Sequence, residues 1–112
     1  MNVTRPIIEH CVDVELEAAR KEHEDFHSLH EAYAVTLEEV EEAEKEMREI
    51  ERTIMDVWTA TKEDDTASAS MMFSMIEKSA VALAAEAVQV AAMARKARRL
   101  GKDENKTWFG KE

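Results

Sequence analysis

Helix-breaking residues are almost missing from this chain. Its 112 residues include two glycines and one proline, and none of the three lies between Ile7 and Leu100. Tight hairpins and sheet connections need such residues, so an all-α fold is expected. One cysteine, Cys11, excludes an intrachain disulfide and favours a reducing compartment, read as the cytoplasm. No apolar run is long enough to span a bilayer, and the start of the chain lacks the apolar core of a secretion signal. Positive charge is also scarce: 15 Lys and Arg stand against 25 Asp and Glu, a formal net charge of -10. General binding to a nucleic-acid polymer or an anionic membrane is therefore not expected. A nucleotide is not excluded, because a bound divalent metal inverts the local sign.

What fills the chain is Glu, Ala, Lys, Met and Arg, all good helix formers. Thr4 and Pro6 mark a helix start, since proline is tolerated in a first turn. The first helix is expected over 5–26, with Ile7, Ile8, Cys11, Val14 or Glu15, and Ala18 at helical spacing and Cys11 in the core. Ser28-Leu29-His30-Glu31 has the capping-box form, which opens a second helix over 29–62. Tyr33, Val40, Met47 and Ile54 recur every seven residues along it, and Thr36, Ala43, Ile50 and Val57 form a second line.

Glu63-Asp64-Asp65-Thr66 reads as the one clear linker, with Asp65 or Thr66 as the next cap. A third helix is expected over 68–100, with Gly101 as its C-cap. Ile76, Leu83, Val90 and Ala97 make one of its lines, and Phe73, Ala80, Ala87 and Ala94 the adjacent one. Met93, Leu100 and Glu86 continue the stripe. Residues 102–112 read as a polar tail in which Trp108-Phe109 is a docking anchor. The expectation is a single all-α domain, one shorter helix and two long ones packed antiparallel. A chain this small buries a modest core, so completion of the bundle as a homodimer or homotetramer is expected.

Two acidic clusters carry the chemistry. Most of the glutamates in Glu38-Glu39-Val40-Glu41-Glu42 and beyond read as a solvated face. Glu39 and Glu42, three apart, share a flank and can serve one ion. Glu86 interrupts the most apolar stripe of the chain, where an ionised carboxylate is costly unless paired. Gln89, three residues on, offers a neutral oxygen. Oxygen-only donors favour Mg²⁺ or Mn²⁺ over zinc. His23, His27 and His30 form a weaker zinc pattern without cysteine partners. Met71-Met72-Phe73-Ser74-Met75 reads as packing or an oligomer contact.

Together the two clusters resemble the all-α nucleotide pyrophosphohydrolases, the MazG-like and dimeric dUTPase-like superfamily, over roughly residues 28 to 100. Its signature is Glu-Glu-x-x-Glu on one helix and Glu-x-x-Asp on a later one. Glu38-Glu39-Val40-Glu41-Glu42 matches the first part. Glu86-Ala87-Val88-Gln89 matches the second except that Gln89 stands where the family has Asp. The runs HEAYAVTLEEVEEAEKE and AAEAVQVAAMARKA are also similar to small phage and prophage proteins allied to that superfamily. The resemblance implies Mg²⁺-dependent hydrolysis of a nucleoside triphosphate to the monophosphate and pyrophosphate. It implies Glu39, Glu42 and Glu86 as metal ligands with Gln89 beside them, Glu38 as a base-like carboxylate, and Arg95 and Lys96 on the substrate phosphates. Gln89 removes one negative charge from that set, so binding without turnover is part of the same expectation. The competing reading is a non-catalytic helical structural or interaction protein, in which heptads, methionines and the alanine surface are the whole content.

Overall fold

The computed structural model describes residues 3–22 and 25–108, with side chains described up to 101. It contains three helices in the order α1 (Arg5–Glu22), α2 (Leu29–Lys62) and α3 (Thr66–Trp108), with no strand among the described residues. No helix is long and apolar enough to cross a membrane among those residues. The chain divides into two compact units, Met1–Val40 with Ala87–Glu112, and Glu41–Glu86.

Each helix start is made by the residue type expected there. Thr4 accepts the first bond of α1 through its carbonyl, from Ile8 N at 2.9 Å. At α2 the Ser28 Oγ accepts from Glu31 N at 3.1 Å, and Glu31 Oε1 accepts from His27 N at 2.7 Å. The returning carboxylate thus takes the N–H one residue before the cap, which still closes the box. Asp65 caps α3: its two carboxylate oxygens accept from Ser68 N at 3.1 Å and Ser68 Oγ at 2.7 Å.

The turn between α2 and α3 is a Schellman motif. Asp65 N donates to Ala60 O at 2.9 Å and Asp64 N donates to Thr61 O at 3.1 Å. Asp64 takes the left-handed position, φ 53°, usually given to glycine. Asp64→Gly is therefore expected to raise stability by about 0.5–1 kcal/mol, after the greater freedom of glycine in the unfolded chain is discounted. Thermal unfolding of the variant beside the parent checks this. The same turn carries a pH dependence. The side-chain and then the backbone hydrogen bond from Ser68 hold the Asp65 carboxyl below its ordinary 3.8. A depressed folded value contributes stability present above about pH 3.8 and lost as pH falls through the folded value. Asp65→Ala should flatten that acid limb of the melting curve.

Unit one holds the apolar core. Val12 and Leu16 from α1, Phe26 from the connection, Ala32 from α2 and Ala92 and Met93 from α3 form one buried cluster, with Ala19, Val35, Val88, Ala97 and Leu100 packed against it. Three sequence expectations change here. α1 is described to Glu22, whereas the expected helix ran to 26, and Phe26 lies outside it and enters the core at 8% exposure. α1 also turns its other stripe inward: Ile7, Ile8, Cys11 and Val14 are exposed while Val12, Leu16 and Ala19 face the core. That rotation brings Asp13 within reach of Arg95 on α3. Finally, α3 starts two residues early and does not stop at Gly101. It runs on to Trp108 because Gly101 keeps a helical backbone and nothing in Lys102–Trp108 forces an exit. Phe109 lies outside the described residues, as does the rest of the polar tail beyond it.

Unit two pairs the second half of α2 with the first half of α3, reversed by the tight turn. Thr53, Val57 and Ala60 are its buried residues. The line Ala43, Ile50, Val57 faces inward as expected. Its companion is Glu46, Thr53, Ala60, one residue round from the expected Met47 and Ile54, which stay 43% and 47% exposed. The hydroxyl of Thr53 is satisfied there by donating to the Glu49 carbonyl at 2.8 Å. In unit one the same shift puts Ala32 inside and leaves Tyr33 69% exposed.

Candidate functional site

The rotation of α2 has a direct consequence for Glu39. Glu39 follows Ala32 by two turns, so a seam shifted onto Ala32 carries Glu39 to the inner half of the helix. There it is half-buried and lines a cavity of ≈ 500 Å³ that lies wholly within unit one. That volume is in the range of small-molecule sites. α1 contributes Glu15, Ala18, Ala19 and Glu22 to its wall, Phe26 follows, α2 adds Glu31, Val35 and Glu39, and α3 adds Gln89, Met93 and Lys96.

Lys96 is the unusual member. It is only 4% exposed, and its Nζ stands 4.5 Å from the centroid of the Phe26 ring. A desolvated ammonium over an aromatic face is stabilised by the ring quadrupole, by about 2 kcal/mol in such settings. Lys96 and Phe26 both line the cavity. The neighbouring cations do different work. Arg95 is paired with Asp13 of α1, and Arg99 with Asp25 at 3.3 Å. Both pairs are partly exposed, so each contributes little by itself. Their geometric effect is to clasp the α1 side of the cavity to α3.

Of the residues singled out from sequence, Glu39, Gln89 and Lys96 are brought together in this cavity. Glu38 is exposed on α2 and does not line it. Arg95 is committed to Asp13. Glu42 is exposed and Glu86 half-buried, and both belong to unit two. Glu86 does sit in the line of Ser79 and Met93, as its spacing predicts. His27 and His30 are exposed, and His23 lies outside the described residues. Among the described residues no three His, Cys, Asp or Glu side chains are gathered closely enough to hold an ion. The donors around the cavity are nonetheless all oxygen: the carboxylates of Glu15, Glu22, Glu31 and Glu39 and the amide of Gln89. In kind, that set suits a hard divalent cation.

Four wall residues escaped the sequence reading. Glu15 entered only as an alternative to Val14 on the apolar spacing of α1, and Glu22 continues that spacing with no apolar side chain to mark it. Glu31 was visible only as a capping residue. Phe26 stands as the one large aromatic in an otherwise highly charged stretch, and no periodic pattern there marked it as buried.

No family model, no curated protein and no solved structure matches the chain.

Proposed function

We propose that the cavity of unit one binds a nucleoside triphosphate with Mg²⁺, and that the chain is a MazG-like nucleotide pyrophosphohydrolase or a binding-only relative, working as a homo-oligomer in the cytoplasm. One observation carries this reading. Glu39 from the first acidic motif and Gln89 from the second are fifty residues apart in sequence, yet line one cavity with a buried lysine. Lys96 offers its ammonium to a phosphate oxygen. The four carboxylates around it repel a bare polyphosphate, so a nucleotide enters only with a cation that offsets the repulsion. Glu39 and Gln89, which line the cavity, would hold Mg²⁺ (or Mn²⁺). Held there, such a cation would supply Lewis-acid stabilisation of charge on the phosphoryl oxygens. Phe26 holds the Lys96 head in place, so that its charge meets the phosphate without reorganising.

The experiment is incubation with a panel of ribo- and deoxyribonucleoside triphosphates and Mg²⁺, followed by assay for pyrophosphate. At least one nucleotide should yield monophosphate and pyrophosphate in equal amounts, and Glu39→Gln should slow release by about 100-fold. For a binding-only relative, the same panel yields no product but raises the melting temperature, and Glu39→Gln cancels the rise. Neither product nor a shift with any nucleotide would remove the proposal.

A second reading has its own support. Trp58, Met71, Phe73 and Val81 are 54–70% exposed on unit two. Such a surface fits a helical interaction protein. On that reading Glu39→Gln leaves the response to every nucleotide unchanged, because the parent has none.

A further inference from the structure

Two carboxylates of the unit-one cavity have no part in holding the metal or the phosphates. Glu22 and Glu31 line it from either side of the short connection that carries Phe26, so the three share one end of the cavity. Glu39 follows Glu31 by eight residues of α2, about 12 Å at ~1.5 Å per residue. The metal end and the connection end are separated by that length, which is close to the reach from the middle phosphates of an extended nucleotide to its base. Lys96 points to a ligand at the connection end. It is 4% exposed, its Nζ lies over the Phe26 ring, and among the described residues it makes no ion pair. A buried ammonium is costly without an anionic partner. On this placement the partner is the phosphate next to the sugar, and the base lies beyond it, at Glu22 and Glu31.

We infer that the cavity selects guanine nucleotides, with the Glu22 carboxylate accepting from the ring N1–H and the 2-amino group of the base. A carboxylate only accepts hydrogen bonds. Among the described residues Glu22 makes no ion pair or hydrogen bond that would occupy its oxygens. Glu31 commits Oε1 to His27 N and keeps Oε2 as a further acceptor. Guanine is the one common base whose pairing edge sets two donors side by side, and they match the two oxygens of one carboxylate in a pair of charge-assisted bonds. Adenine and cytosine set one donor beside a bare ring nitrogen. Uracil and thymine set one donor between two carbonyls. Each of these would hold an acceptor against an acceptor-only wall, and a polar group left unmatched there costs binding. This selectivity rests on the nucleotide reading above, and it can fail while that reading stands.

The test is calorimetric titration of the full chain in Mg²⁺ with GTP, ATP, CTP, UTP and inosine triphosphate. Inosine triphosphate differs from GTP only in lacking the 2-amino group. GTP should bind about tenfold or more tightly than each of the others, the worth of one good bidentate pair. Glu22→Gln keeps one acceptor and turns a donor toward the base. In that variant GTP should fall to the level of inosine triphosphate, and its advantage over ATP and UTP should disappear. Glu22 is exposed, so the exchange should leave the helices intact, which circular dichroism checks. Equal affinity for GTP and inosine triphosphate would overturn the assignment of guanine and leave the nucleotide site standing. So would tighter binding of a different base, or a GTP preference that survives Glu22→Gln. Binding of no nucleotide at all would remove the site and its selectivity together.

Discussion

Exchanging Lys96 for glutamate is expected to destabilise unit one by about 3–5 kcal/mol, the cost of an uncompensated buried charge. The position is 4% exposed. A carboxylate there would lie against the face of Phe26, the repulsive side of the ring quadrupole, inside a wall that already holds Glu15, Glu22, Glu31 and Glu39. Domains of this size have ~5–15 kcal/mol in total, so the variant should be largely unfolded at moderate urea. Lys96→Met is the informative contrast. It keeps most of the apolar stem and removes both the ring contact and the desolvation of the ammonium, two opposing changes. Its stability should fall within about 1 kcal/mol of the parent. Urea unfolding of the two variants separates a charge effect from a packing effect. If both lose the same stability, the lysine is there for its volume.

Gln89→Asp should give the second large change, and it should have opposite signs with and without metal. The substitution places an aspartate, as in the pyrophosphohydrolase motif that residues 86–89 resemble, at a half-buried position on the cavity wall. Without a divalent ion it adds a fifth carboxylate to the site, and stability should drop by about 1 kcal/mol from like-charge crowding. With Mg²⁺ the loss should reverse, because a ligand that binds only the folded state stabilises by ~2.7 kcal/mol at a hundredfold excess over its dissociation constant. Pyrophosphate release should rise at least about tenfold over the parent. Melting curves with Mg²⁺ and with a chelator, for parent and variant, read the crossover directly. A variant whose melting temperature is indifferent to Mg²⁺ would detach the second motif from any metal.

The boundaries of α2 were legible to the residue because both ends are written in local chemistry: a hydroxyl with a glutamate three on at Ser28 and Glu31, and an acidic turn at its close. α3 was legible in its interior but not at its end, since Gly101 marks a stop only when the backbone takes a left-handed turn there, and it does not. The faces of the helices were harder to read. Both α1 and α2 carry two apolar lines about a residue apart, and periodicity alone cannot say which one faces a neighbour. On α2 packing chose the smaller side chains, Ala32, Thr53 and Ala60, over Tyr33, Met47 and Ile54. That choice sets the partial burial of Glu39. On α1 it chose Val12 and Leu16 over Ile7 and Cys11, where Asp13 meets Arg95. Long-range pairs of this sort leave no mark in the local pattern. Arg95, which the resemblance placed on the substrate phosphates, pairs with Asp13, while Lys96 next to it lines the cavity.

The central claim is that the unit-one cavity takes a nucleotide together with a divalent cation, and calorimetric titration tests it most directly. The full chain is titrated with each nucleoside triphosphate in Mg²⁺ and again in chelator, alongside Lys96→Met. The account predicts saturable binding of at least one nucleotide in Mg²⁺, loss of that binding in chelator, and weakening by about tenfold or more in Lys96→Met. Binding heat that is absent for every nucleotide, or equal in Mg²⁺ and in chelator, or unchanged in Lys96→Met, would contradict it.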